Sequence, residues 1–221
     1  MHRLHSILLL SLVAAGRPSP VSIDPGQLTV VHGRATAERY QGREATRLSP
    51  LPGHEFDDGD ILAVVTSTHF RDGTLEVDVA GTPRPDAPPQ MKGFIGLMFR
   101  LSSSADGGEM IYLRPVNGRS SNQLERNHAV QYVSPPEYSW QRLRKESPGM
   151  YESYVDLEPG VWTHMKIEVS GTQARLYVAG AEQPCLVVND LKRGDSTGAI
   201  GLWAHATTVA YFSNLLIRAR P

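Results

Sequence analysis

The stretch from Lys166 to Val178 reads as two alternating runs joined by Ser170-Gly171, and a chain built from many such units has few folds open to it. In Lys166-Ile167-Glu168-Val169 every second side chain is apolar, and Ala174-Arg175-Leu176-Tyr177-Val178 repeats the pattern beyond the turn. A period of two belongs to an extended strand with one face on a core.

The pattern recurs along the chain. Residues 27–32, 60–67, 74–79, 93–100, 109–114, 128–133, 151–157, 162–169, 199–204 and 209–217 are each read as strands. Asp72-Gly73, Asp106-Gly107-Gly108, Pro159-Gly160 and Ala179-Gly180 supply turns between them. Leu75, Val77 and Val79 share one face, as do Ile95, Leu97 and Phe99 on the next run, and Met165, Ile167 and Val169 further on. No helix longer than about two turns is indicated. About a dozen strands in one open sheet would twist strongly and leave bare edges, so two packed sheets are expected. The predicted fold is all-β, a two-sheet antiparallel jelly-roll β-sandwich. Residues 82–90, which hold four prolines, are read as a loop, as are the polar stretches 115–127 and 134–149. Long loops on a rigid sheet are where a binding rim is expected.

At 221 residues the chain suits one domain. Its start, Met1-His2-Arg3-Leu4-His5-Ser6, is followed by an apolar run that ends in Val13-Ala14-Ala15, the form of a secretory signal peptide. Residues 1–15 are therefore expected to be a leader, 16–26 a linker, and 27–221 the sandwich. The apolar run falls short of the ~20 residues that cross a bilayer, so export to the periplasm or the exterior is expected, with no membrane span. A net charge of −1 offers no field to draw nucleic acid. The one cysteine, Cys185, cannot close an internal disulfide and is read as a buried, inert thiol. The histidines beyond the leader lack zinc-type spacing, and no Gly-x-Ser-x-Gly elbow is present.

The segments "FRDGTLEVDV", "GFIGLMFR", "MIYLRP", "VWTHMKIEVSG", "ARLYV" and "GAIGLW" together resemble the concanavalin A-like lectin/glucanase superfamily over residues 60–217. That group includes laminin-G-like modules and bacterial 3-keto-disaccharide hydrolase domains. The resemblance implies a jelly roll whose concave sheet takes a glycan, with no cofactor required. It leaves open a glycoside hydrolase of the glucanase or 3-keto-disaccharide type and a laminin-G-like protein-interaction module.

Three groups of residues carry the candidate chemistry. Arg100, Tyr112, Arg114 and Gln131 stand at the non-core phase of successive runs, flanked by Asn117, His128 and Trp140. Paired runs would bring them within about 5 Å of one another. Tyrosine and tryptophan rings can then stack on sugar faces while arginine and glutamine address hydroxyls. Arg114, followed by Pro115, is placed at the rim. The second group is Glu76 and Asp78, the first two acids of the Glu-x-Asp-x-x-Glu strand motif that the resemblance supplies. The third position is Gly81, so the partner acid of a retaining mechanism would come from Glu152 or Glu109. The third group, Asp57, Asp58 and Asp60, bunches oxygen ligands that a structural calcium could use.

Overall fold

The hairpin read between Lys166 and Val178 is formed by Thr163–Ser170 (β11) and Gln173–Val178 (β12), with Ile167 opposite Leu176 and Val169 opposite Ala174. The computed structural model describes residues 19–54 and 59–220. The leader read at 1–15 lies outside the described residues.

The remaining strands, in chain order, are β1 (Ser19–Pro20), β2 (Leu28–Val31), β3 (Arg34–Tyr40), β4 (Arg43–Ser49), β5 (Asp60–Phe70), β6 (Asp72–Pro83), β7 (Ile95–Leu101), β8 (Glu109–Leu113), β9 (Val130–Val133), β10 (Glu152–Ser153), β13 (Leu186–Val188), β14 (Gly198–His205) and β15 (Thr208–Arg220). Three short helices, α1 (Pro115–Gly118), α2 (Gln123–Arg126) and α3 (Trp140–Glu146), lie in the loops. Among the described residues, no helix is long and apolar enough to cross a membrane.

The strands form two antiparallel sheets. The first runs β13-β12-β11-β6-β15-β4-β3, with β1 also on β15; the second runs β10-β9-β8-β7-β14-β5-β2. Consecutive strands β5 and β6, β6 and β7, and β14 and β15 fall in different sheets, so the chain winds back and forth across the core as a jelly roll does. The alternation sets the core. Leu75, Val77, Val79, Met165, Ile167 and Phe212 of the first sheet face Ile95, Leu97, Ile111, Leu113, Leu202 and Ile61 of the second, and all are buried. Each such side chain contributes about 1.5–3 kcal/mol when withdrawn from water.

Four sequence expectations are corrected here. The segment read as a linker joins the sandwich from Ser19 onward: β1 pairs with β15, Val21 N–H donates to Leu215 O, and Thr46 Oγ1 donates to Ile23 O. The β3–β4 hairpin, turning at Gln41-Gly42 with φ of 46° and 81°, falls in a stretch where the alternation picked out no strand. Its outward positions mix Arg34, Thr36, Glu38, Arg43 and Arg47 with Tyr40 and Ala45, and inward Ala35 and Ala37 are small, so the period is masked. The expected strand 151–157 pairs only over Glu152–Ser153. Cys185 is only partly buried, and desolvation pushes its thiol up to about 11, which leaves it without thiolate reactivity.

A β-bulge in β7 has the largest effect on the site. Gly201 of β14 pairs with Met98, but Ala199 pairs with Leu101, so β7 holds an extra residue there. Arg100 takes a left-handed φ of 52° in that bulge. Its side chain turns inward instead of following Gly96 and Met98.

Candidate binding site

A row of opposed residues crosses the second sheet on its outer face. Leu62 pairs with Trp203, Trp203 with Gly96, Gly96 with Tyr112, Tyr112 with Gln131, and Gln131 with Glu152. Tyr112 and Trp203 are two strands apart, about 10 Å by strand spacing. Their ring centroids nevertheless lie 5.0 Å apart at 46°. They meet because Gly96 stands between them without a side chain. A Cβ there would come 2.7 Å from Tyr112 Cβ and 2.3 Å from Ile111 O. Phe94 adds a third ring, 6.1 Å from Tyr112 and edge-on to it.

These rings floor a hollow of about 480 Å³. Trp140, Met110 and Met91 wall it, and Asp60, His205 and Ser139 bring polar groups to it. Trp140 is the first residue of α3, whose N-terminus is capped by the Ser139 hydroxyl accepting from Arg142 N–H. The helix thus fixes where the Trp140 ring starts.

Beside the floor, on the same face of the sheet, lies a buried ionic network. Arg114 Nη2 donates to Tyr112 Oη at 2.9 Å and Gln131 Oε1 at 3.1 Å. Its Nη1 donates to Glu152 Oε1 at 3.3 Å and His128 O at 3.1 Å. Arg144 donates from Nε and Nη2 to the same carboxylate, and His128 Nε2 stands 3.3 Å from it. The Arg144 guanidinium in turn lies over the Trp140 ring, 4.7 Å from its centroid. A continuous line of contacts therefore ties the Tyr112 floor to the Trp140 wall.

The protonation states follow from this packing. Burial alone would raise the Glu152 carboxyl, but hydrogen bonding from Arg144 and the charges of Arg144, His128 and Arg114 hold it below its ordinary value. Burial lowers His128, and the two arginines reinforce it against the pull of Glu152. Burial raises the Tyr112 phenol, so it remains a neutral hydroxyl.

The residues expected at the site separate into three sets. Tyr112 and Trp140 line the hollow. Arg114, Gln131, His128 and Asn117 gather beside it as support. Arg114 is buried rather than at a rim, because β8 ends at Leu113 and the network encloses the next side chain. Asn117 Nδ2 donates to His128 O, bracing the same loop. Arg100 stands apart. Fully buried, it donates to the carbonyls of Arg71, Gly194 and Gly171 and to Asp72, closing one end of the sandwich.

Sequence reading missed Trp203, Phe94 and His205. The signal for Trp203 was present: Ile200, Leu202 and Ala204 are inward, which sends Gly201 and Trp203 outward.

The candidate acids are dispersed. Glu76 and Asp78 project from the outer face of the first sheet, on the far side of the core from the hollow. There His164 Nδ1 meets Asp78 at 2.8 Å and its Nε2 meets Glu76 at 3.4 Å, while Arg43 and Asn214 also bind Asp78. Glu109 is buried in the core, accepting from Tyr132 Oη and Arg193 N–H. Glu152 is engaged as described. Asp57 and Asp58 lie outside the described residues, and among those described no group of three or more acids, histidines or cysteines could hold a metal ion.

Comparison with solved structures places this architecture. Carbohydrate-binding module CBM66 from Bacillus subtilis superposes with a TM-score of 0.56 at 19% identity, covering 86% of this chain and 93% of that one. The fold is the concanavalin A-like β-sandwich. The exoplasmic/lumenal domain of VIP36, solved with Ca²⁺ and Man3GlcNAc, gives 0.57 at 11% identity over 93% of this chain and 91% of its own. A candidate glycosyl hydrolase from Parabacteroides distasonis gives 0.51 at 12% identity over 90% of each chain. No family model matches the chain, and no curated protein matches it. At these identities the likeness establishes a lectin-like fold.

Proposed function

We propose that this chain is an exported carbohydrate-binding protein that takes a glycan in the hollow over Tyr112 and Trp203. The observation that carries the reading is the aromatic hollow itself: the half-exposed Trp140 ring walls a space floored by Tyr112 and Trp203, each 4% exposed, and edged by Asp60, His205 and Ser139. A sugar has apolar faces of C–H groups and an equator of hydroxyls, so it suits apolar walls with a few convergent polar groups. Solved structures of the same fold include a carbohydrate-binding module and a domain solved with a mannose-containing glycan, which supports the ligand class. The basic, apolar, small-residue order of positions 1–15 supports export.

Hydrolysis has less support. Among the described residues Asp60 is the one carboxylate lining the hollow, whereas retaining and inverting mechanisms each need two flanking the scissile bond. A structural calcium would have to draw on Asp57 and Asp58; the described residues do not assemble a site for it.

Calorimetric titration of the mature protein with a panel of oligosaccharides tests the proposal. We expect saturable heat at one site, accompanied by a change in tryptophan fluorescence, and an affinity about tenfold weaker or worse in Tyr112→Ala, equivalent to ~1.4 kcal/mol. Absence of heat across the panel, or equal binding by Tyr112→Ala, overturns it.

A further inference from the structure

At the end of the first sheet, where β3, β4 and β15 meet the loops after β4 and β6, lies a second cavity of about 490 Å³. Three arginines line it. Arg34 comes from β3, Arg47 from β4, and Arg84 from the proline-rich loop after β6. Pro50, Pro52 and Pro85 add rigid apolar wall, and Ser49, Asp86 and Thr208 add polar groups.

The charges here are only partly balanced. Arg47 pairs with Glu38, and Arg84 with Asp86. Arg34 donates from Nε to Ser49 Oγ, and no carboxylate partner is recorded for it among the described residues. Among the described residues, Asp86 is the one acid in the lining. Two polar atoms of lining residues, Arg47 Nε and Thr208 Oγ1, are buried with no hydrogen-bond partner among the described residues, and Thr208 itself is 2% exposed. Buried donors without partners are rare in folded proteins and call for an explanation. A cavity with surplus positive charge and unmet donors is short of acceptors.

We infer that this cavity is an oxyanion site, taking the carboxylate or sulfate group of an acidic saccharide. Guanidinium groups match both anions through paired N–H donors, and the proline wall suits the apolar face of the ring that carries the charge. The cavity shares no lining residue with the aromatic hollow.

The probes are trigalacturonate, a sulfated disaccharide, inorganic sulfate and a neutral trisaccharide, each titrated into the full chain by calorimetry at low and at physiological salt. Binding of trigalacturonate or the sulfated disaccharide, with affinity falling as salt rises, is expected. Which of them binds identifies the source of the oxyanion, and binding of inorganic sulfate alone assigns the site to a free ion. Arg34→Gln removes an exposed charge and should leave the fold intact while weakening oxyanion affinity about tenfold. Trp140→Ala, at the half-exposed wall of the hollow, should leave it unchanged. The inference is overturned if no oxyanion gives heat, if the neutral trisaccharide binds equally well, or if Arg34→Gln binds as the parent does. Loss of oxyanion binding in Trp140→Ala would also overturn it, by placing the ligand in the hollow instead.

Discussion

Tyr112 and Trp203 stand on strands that are not neighbours, yet their rings touch, because the strand between them carries Gly96 at that register. The Tyr112 hydroxyl is at the same time an acceptor for Arg114. The ring and the hydroxyl therefore have separable roles. Tyr112→Phe should keep glycan affinity within about threefold but cost ~1–3 kcal/mol of stability, since it leaves a buried guanidinium donor unmatched. Urea unfolding alongside calorimetry separates the two effects. Stability unchanged in Tyr112→Phe would rule out the hydrogen bond as a structural tie.

Gly96→Ala introduces one methyl group where backbone and ring atoms already stand at 2.3–2.7 Å. Overpacking of this kind costs roughly 1–3 kcal/mol. In a domain of this size that lowers Tm by about 2–4 °C per kcal/mol. Pushing the rings apart should also abolish glycan binding. A scanning-calorimetry melt indistinguishable from the parent would show that the sheet yields at this point.

Removing the charge of Glu152 leaves Arg114 buried without its counterion. Glu152→Gln should cost about 3–5 kcal/mol, read from urea unfolding at neutral pH.

Acidification should act on the same network in two stages. His128 is held below 6.5, chiefly by burial, so the unfolded chain takes up that proton first and stability falls as pH drops through 6.5. Glu152 is held below 4.5 by its basic neighbours against the cost of burial, so a further fall sets in as pH drops below 4.5. Above pH 6.5 both contributions are complete. Urea unfolding at pH 7, 5.5 and 4 should show the decline, and His128→Gln should remove the upper stage. A flat profile from pH 7 to 5.5 would contradict it.

Arg100 should prove structural. Arg100→Lys keeps the charge but cannot reach three carbonyls and Asp72 together, so we expect a loss of ~1–3 kcal/mol in stability with glycan affinity unchanged. A drop in affinity at full stability would return Arg100 to the site.

Trp140 is half exposed at the first turn of α3. Trp140→Ala should weaken glycan binding about fivefold to twentyfold while changing stability by less than ~0.5 kcal/mol. Calorimetry and thermal melts of one preparation check both.

Much of this architecture was legible in the chain because alternation is a local property. Leu75, Val77 and Val79 declare a face without reference to any partner strand, and so do Met165, Ile167 and Val169. The same count found Tyr112, Arg114 and Gln131 and brought them together correctly. It failed at Arg100, where one inserted residue in β7 reversed the phase, and nothing in Phe99-Arg100-Leu101 announces that insertion. It also failed for β3, an edge strand, and for its neighbour β4, where small and charged side chains outnumber core ones such as Leu48. The partners of Glu152 were hidden for a different reason. Arg144, His128 and Arg114 converge on it from a helix, a loop and a strand end, and no sequence spacing encodes that meeting.

The row from Leu62 to Glu152 follows the hydrogen-bonded ladder itself, so the floor of the hollow cannot change shape without unzipping strands. An occupant meets a surface already set at synthesis and supplies whatever bending the encounter requires. Association should then follow a single exponential whose rate climbs linearly with ligand concentration, with no plateau from a slow protein isomerisation.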